Sequence, residues 1–324
     1  MKFETLLIDL ISGSDFSAPH VSLLVKQLLE YRASLKDGEL NSTLLQTLVF
    51  KYAQSEKELV LLNQTLCEKQ KKLDDDLKAA AEIQKCLLPR KTLEFTNLEI
   101  AWNFEPCEHI GGDIFNIFQL DRDHCGIYML DVSGHGVQAA LVTASVSQFL
   151  KPDADYSLFS PSKTFQALRK EFPFERFETF FTIVYVVINT RTGHVTYSRA
   201  GHPYPVLLRK NGTLELLKKG EPVIGIDENE FFIPPEERVE ENQLQLNHGD
   251  KLFIYTDGII EYENLKKKLF GSDRFFQKLS SLRDNSVSDI IASFMTSLMK
   301  FGEGAPPLDD LTLLGIEMKN QTKA

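Results

Sequence analysis

Four acidic positions stand where a β-rich stretch meets a turn. Asp113 follows Gly111-Gly112 and opens one such stretch. Asp131 closes another, ahead of Ser133-Gly134. Asp257 closes a third, ahead of Gly258, and Asp309-Asp310 opens the last. If these strands are sheet neighbours, the carboxylates converge. Packed carboxylates repel one another and take up protons unless a cation compensates. Magnesium and manganese prefer oxygen ligands and keep several waters. Two such ions sharing a carboxylate could bind a phosphoryl group and activate a water. The chemistry proposed by these residues alone is therefore a two-metal phosphohydrolase. Any one of them, taken singly, reads more readily as a helix cap or turn residue.

The elements that position these acids follow from their surroundings. The apolar run Cys125–Leu130 leads into Asp131-Val132-Ser133-Gly134-His135-Gly136, and a helical stretch, 137–150, comes next. A strand that turns sharply into a helix presents its last side chain without burying it. Further strands are expected over 98–104, 114–120, 179–189, 195–199, 205–210, 251–255 and 311–318, with helices over 161–172, 275–282 and 287–299. Thr192-Gly193 and Asn211-Gly212 are hairpin signals. Residues 227–247, acidic and proline-bearing, read as a surface excursion. Strands joined by hairpins, with few helices between them, favour antiparallel sheets with helices outside.

Upstream, residues 1–55 read as a helical docking or dimerisation module. Val21, Leu24, Val25, Leu28 and Leu29 form one stripe, and Leu44, Leu45, Leu48, Val49 and Tyr52 another, with a break at Lys36-Asp37-Gly38. Residues 56–88 read as a coiled-coil linker helix. Leu59, Leu62, Leu66, Leu73, Ala80, Ile83 and Leu87 follow a heptad seam, with Lys69 and Asp76 interrupting it. Pro89 ends the helix and opens the catalytic domain, 89–319, which leaves a tail of 320–324.

With 324 residues, 43% hydrophobic and 25% charged, the composition is that of a globular protein with one large domain and an accessory one. A net charge of -10 argues against nucleic acid and anionic membranes as partners. Cys67, Cys86, Cys107 and Cys125 form no Cys-x-x-Cys pair, which speaks against zinc and for a reduced, cytoplasmic setting. No segment reads as a signal peptide or membrane span.

Gly111-Gly112-Asp113, Asp131-Val132-Ser133-Gly134-His135-Gly136, Ala200-Gly201-His202-Pro203, Tyr255-Thr256-Asp257-Gly258 and Asp309-Asp310-Leu311-Thr312 occur in that order. The set resembles the metal-dependent PPM-type (type 2C) serine/threonine phosphatases, in their bacterial SpoIIE/RsbU branch. Ile83-Gln84 followed by Leu87-Leu88-Pro89 is similar to that branch's entry to its catalytic domain, and the overall layout is similar to RsbU. The resemblance covers about residues 80–318. It implies an α+β fold, a β-sandwich of two antiparallel sheets flanked by helices, and two Mn2+ or Mg2+ ions at one end of it. Carried over by motif, Asp131 bridges both ions, the Val132 carbonyl helps hold one, Asp257 and Asp309 hold the second, and Asp113 contacts metal-bound water. Asp309 matches the pattern better than Asp310, which stays open as a ligand. His135 and His202 are given ordering roles. Residues 105–110 are more polar than the family's usual approach to Gly-Gly-Asp, and Arg199 replaces a small residue; neither is expected to touch the ligands.

The resemblance implies a protein phosphatase acting on a phosphorylated anti-anti-sigma (STAS-domain) protein. It would be regulated through an activating partner at residues 1–55 and would be a homodimer through the coiled coil. The rival reading is a non-catalytic signalling scaffold that keeps the fold; the intact acidic set speaks against it. A hydrolase of nucleotides or other small molecules is weaker, for want of a Gly-x-x-x-x-Gly-Lys loop.

Overall fold

A computed structural model of the protein describes residues 42–89, 95, 97–152, 158–226 and 241–319, with side chains from Phe50 onward. The expected helical stripe at Val21–Leu29 and the break at Lys36–Gly38 lie outside these residues. The chain forms two compact units, residues 1–76 and 77–324. The described part of the first is helix: α1, Ser42–Lys85, is one unbroken segment. Leu59, Leu62, Leu66, Leu73 and Ile83, on its heptad seam, are all exposed. Among the described residues no helix is long and apolar enough to cross a membrane.

The second unit is built on two five-stranded sheets. Its elements are β1 (Leu98–Glu105), β2 (Asp113–Gln119), β3 (His124–Val132), α2 (Val137–Phe149), α3 (Pro161–Glu171), α4 (Phe174–Phe177), β4 (Phe181–Asn189), β5 (His194–Ala200), β6 (Val206–Leu208), β7 (Leu214–Leu216), β8 (Asn242–Gln245), β9 (Lys251–Tyr255), α5 (Gly258–Glu261), α6 (Ser272–Ser281), α7 (Val287–Gly302) and β10 (Leu311–Met318). One sheet runs β1-β10-β9-β6-β7 and the other β2-β3-β4-β5-β8, and every paired ladder is antiparallel.

Side-chain alternation explains why the central strands read as continuous apolar runs. On β3, Ile127 and Met129 face the core between the sheets, where they meet Leu252, Ile254, Leu314 and Ile316. Tyr128, Leu130 and Val132 face the other way and pack under α2 and α3 with Val142, Val146 and Phe165. The second sheet is treated likewise: Phe253, Tyr255 and Leu313 turn outward under Phe275, Ile290 and Phe294 of α6 and α7. Both faces of both sheets are thus covered, which holds their strand ends in fixed register.

Asn211-Gly212 makes the β6–β7 turn, where Gly212 takes a φ of 93° and the Asn211 side chain accepts from the Thr213 N–H. β8 departs from the expected surface excursion over 227–247. Its sequence, Asn-Gln-Leu-Gln, is polar because it is a short edge strand that buries little, and Leu244 pairs with Val195 in β5.

Candidate metal centre

The acids come together at one end of the sandwich because each sheet ends there. In one sheet Asp113, at the start of β2, lies opposite Asp131 on β3, which lies opposite Thr182 on β4. In the other, β9 runs out into Thr256-Asp257 beside the start of β10, and the Thr256 N–H donates to the Thr312 carbonyl at 3.1 Å. Asp309 and Asp310 immediately precede β10.

These residues fall into two groups. Asp131, Val132, Asp257 and Asp309 line an open cleft of about 240 Å³ together with Ser133, Gly134, Phe180 and Thr182. Asp113 and Asp310 lie behind it, each 1% exposed. Asp113 Oδ2 accepts from the Thr256 hydroxyl at 2.7 Å and the Thr312 hydroxyl at 2.5 Å, so one carboxylate oxygen ties the two sheets together. Asp310 accepts from the Cys107 N–H at 2.9 Å through Oδ1 and from the Asp113 N–H at 3.0 Å through Oδ2. It clamps the loop that leads into β2. The polar segment 105–110 therefore does touch the acidic set, contrary to expectation, because its backbone supplies one of Asp310's donors.

The glycines beside the acids are there for space. A Cβ on Gly111 would overlap the Asp310 carboxylate, and one on Gly258 the Asp310 carbonyl. On Gly112 it would lie 2.7 Å from the Val132 carbonyl oxygen.

Among the described residues no lysine or arginine pairs with any of the five carboxylates, and their protonation reflects this. Burial, then the charges of Asp257, Asp309 and Asp310, pushes Asp131 up to about 8. Burial, then Asp309 and Glu261, pushes Asp257 up to about 6. Asp113 is held well above the usual carboxylate range by burial, then by Asp131 and Asp310, although its two threonine donors pull the other way. Burial also raises Asp309. Carboxylates that resist ionisation for want of a positive partner fit a divalent cation, which supplies the missing charge. All the cleft donors are oxygens, as a hard ion requires. Cys107 Sγ lies within 4.8 Å of ligand atoms of Asp309 and Asp310, but burial and Asp310 push its thiol up to about 12, so it keeps its proton at neutral pH.

Neither His135 nor His202 hydrogen-bonds to the five acids, although the charge of His135 pulls the Asp309 carboxyl down against the effect of burial. His202 is buried, and burial, then Arg199, pushes its pKa down to about 3. Its imidazole is therefore neutral, and its Nδ1 is 2.8 Å from the hydroxyl of Thr182, which lines the cleft. His135 is exposed, 3.5 Å from Glu108. Sequence reasoning missed the threonines. Thr256 and Thr312 sat inside the motifs Thr-Asp-Gly and Asp-Asp-Leu-Thr without a role. Thr182 gave no signal, because only the β3–β4 register brings it opposite Asp131.

The profile of the family "Stage II sporulation protein E (SpoIIE)" matches residues 121–319, more than half of the chain. The phosphoserine phosphatase RsbP of Bacillus subtilis is 26% identical over 249 residues, which cover 75% of this chain and 58% of RsbP. The chain thus spans little more than half the length of that relative. The phosphoserine phosphatase RsbU of the same organism is 25% identical over 260 residues, 79% of this chain and 74% of RsbU. Among solved structures, the SiaA-PP2C domain of Pseudomonas aeruginosa shares the fold with a TM-score of 0.63 at 22% identity, covering 78% of this chain and 99% of that one. The PP2C phosphatase domain of Bacillus subtilis SpoIIE, with a fragment of its regulatory domain, shares it at 0.56 and 18% identity, covering 69% and 63%. With its ordered acidic motifs, two-sheet fold and matching profile, the chain belongs to the SpoIIE family, in the SpoIIE/RsbU branch of the PPM-type phosphatases.

Proposed function

We propose that the protein is a metal-dependent serine/threonine protein phosphatase. The observation that carries the reading is the convergence of Asp131, Asp257 and Asp309 on one open cleft, where among the described residues no lysine or arginine pairs with them. Asp131 and the Val132 carbonyl from one sheet, and Asp257 and Asp309 from the other, would hold two Mn2+ or Mg2+ ions. When bound, such ions neutralise phosphoryl oxygens and make water a nucleophile at neutral pH. Asp310 already spends both oxygens on backbone donors, so of the last acidic pair Asp309 is the ligand and Asp310 the frame. Asp113, opposite Asp131 and fixed by Thr256 and Thr312, would accept from water held at the metal site. The Thr182 hydroxyl, oriented by neutral His202, adds a polar contact in the cleft. The cleft is open, which suits a phosphorylated loop of a protein.

The substrate in this reading is a phosphorylated anti-anti-sigma (STAS-domain) protein in a partner-switching pathway. The relatives RsbP and RsbU, both named phosphoserine phosphatases, support the phosphoserine part of it. The test compares turnover of a phosphoserine-bearing STAS-domain protein with that of nucleoside triphosphates, both with manganese. Preference for the phosphoprotein supports the reading, and preference for nucleotides sinks it.

Regulation enters through α1. Its exposed leucine seam suits a second copy of the same helix in a parallel coiled coil, with residues 1–55 taking an activating partner. Leu66→Asp with Leu73→Asp in the full chain is expected to give a monomer by sedimentation; an unchanged dimer removes the seam from the account.

A further inference from the structure

Just past α5 the chain makes a tight turn over 263–269, Glu-Asn-Leu-Lys-Lys-Lys-Leu. Lys266-Lys267-Lys268 are the only three consecutive basic residues in a chain of net charge -10. All of 265–269 is exposed, Leu265 at 64% and Leu269 at 51%. Lys267 pairs with Glu263 at 2.9 Å, while Lys266 and Lys268 pair with no carboxylate among the described residues.

The turn is held in one conformation. Glu263 and Leu269 close its neck as an antiparallel bridge. Asn264 is buried there; its Oδ1 accepts from the N–H groups of Lys266 at 3.0 Å and Lys268 at 3.1 Å, and its own N–H donates to the Lys268 carbonyl at 3.0 Å. Lys267 takes a φ of 57°, which a glycine would adopt more readily. A lysine at that position adds a third ammonium to the turn. A surface fixed in advance binds without the cost of ordering it. The base of the turn is fastened to both segments that lead to the cleft. The Gly271 N–H donates to the Ile260 carbonyl on α5, which begins directly after Asp257 and is about 6 Å long at 1.5 Å per residue. The Tyr262 hydroxyl donates to the carbonyl of Ala305, shortly before Asp309.

We propose that the turn 263–269 is a docking site for an acidic segment of the phosphoprotein substrate. Lys266 and Lys268 take Asp or Glu side chains about three to six positions from the phosphoserine, a span of about 10–20 Å in an extended chain. Leu265 and Leu269 cover apolar side chains beside them. This rests on the phosphatase reading above and names the kind of substrate that the site takes. Charge complementarity selects the occupant: so acidic a chain repels acidic partners over most of its surface, and a local cluster of lysines decides where one approaches. Three lysines are few for a nucleic acid, whose binding grows with the number of phosphates neutralised.

The test uses the full chain with manganese and two phosphoserine peptides of equal length. One carries Asp at the third to sixth positions on both sides of the phosphoserine, the other Asn. At low salt kcat/KM is expected to be about 3–10-fold higher for the Asp peptide, through KM, the effect of two exposed ion pairs. High salt should remove the difference. Lys266→Gln with Lys268→Gln should abolish the preference, and Lys266→Glu with Lys268→Glu should reverse it, the Asn peptide serving as internal reference. Equal turnover of the two peptides by wild type, or a preference that survives both double variants, overturns the proposal and leaves the proposed function standing. Sedimentation with phosphatidylserine vesicles that the variants lose, without any peptide preference, assigns the turn to a lipid surface and overturns it too. Turnover of neither peptide by the wild-type chain overturns both readings together.

Discussion

Two groups of acids occupy the same end of the sandwich and are treated in opposite ways. Asp113 and Asp310 are buried and spend their oxygens on threonine hydroxyls and backbone N–H groups. Asp131, Asp257 and Asp309 face the cleft. Of these, Asp309 accepts from the N–H of its own neighbour, Asp310, at 2.8 Å, and Asp257 from that of its neighbour Gly258. Identical side chains a few ångströms apart thus divide into a frame and a set of donors left for something else. What separates them is the supply of hydrogen-bond donors, and that supply comes from the other sheet and from the loop over 107–113.

The largest effect that would sharpen this contrast is on stability. Asp310→Ala leaves the buried Asp113 N–H and the half-buried Cys107 N–H without an acceptor and is expected to cost about 2–4 kcal/mol, read as a lowered urea midpoint in the absence of metal. Asp309→Ala, at the exposed neighbour, is expected to leave that midpoint nearly unchanged and to weaken manganese instead. Reversed behaviour of the pair would erase the distinction between frame and donors. Next comes Thr312→Val. It removes one of the two hydroxyls that bridge the sheets through Asp113, and about 1–3 kcal/mol of stability should go with it, again by urea unfolding. A neutral result would show that the bridge contributes nothing.

A smaller effect is expected in the pH dependence of the metal-free protein. Asp131 is raised from 3.8 to about 8 in the folded state. Between those values the folded protein binds more protons than the unfolded one, so stability is greatest below the lower value and is lost as pH rises toward the upper. The melting temperature in chelator should therefore fall from pH 4 to pH 8, with a shallower slope in Asp131→Asn. Manganese should flatten it, because the ion replaces the protons. A melting temperature that rises across this window contradicts the charge repulsion assigned to the cleft.

Much of this arrangement was legible in the sequence. The strand-end acids, the Gly-rich turns and the alternation on β3, β9 and β10 are local patterns, and local patterns give faces and turns. The division of the acids was not legible, since Asp309 and Asp310 are neighbours in a motif and differ only in which backbone groups fold back on them. Thr182 and β8 were hidden for a related reason. Their roles come from cross-strand register between residues far apart in sequence, which no periodicity reports. Sequence-based reasoning also placed 105–110 away from the ligands, because a backbone N–H leaves no trace in residue type.

The central claim is that the cleft acids hold catalytic metal. The most direct measurement is turnover of a generic phosphoester with manganese, by wild type and by Asp131→Asn, with manganese binding followed on the same two proteins. The account predicts metal-dependent turnover in the wild type, at least ~10²-fold lower in the variant, as expected when a group that stabilises the transition state through charge is removed. Equal turnover in both, or wild-type protein that binds no manganese, would contradict it.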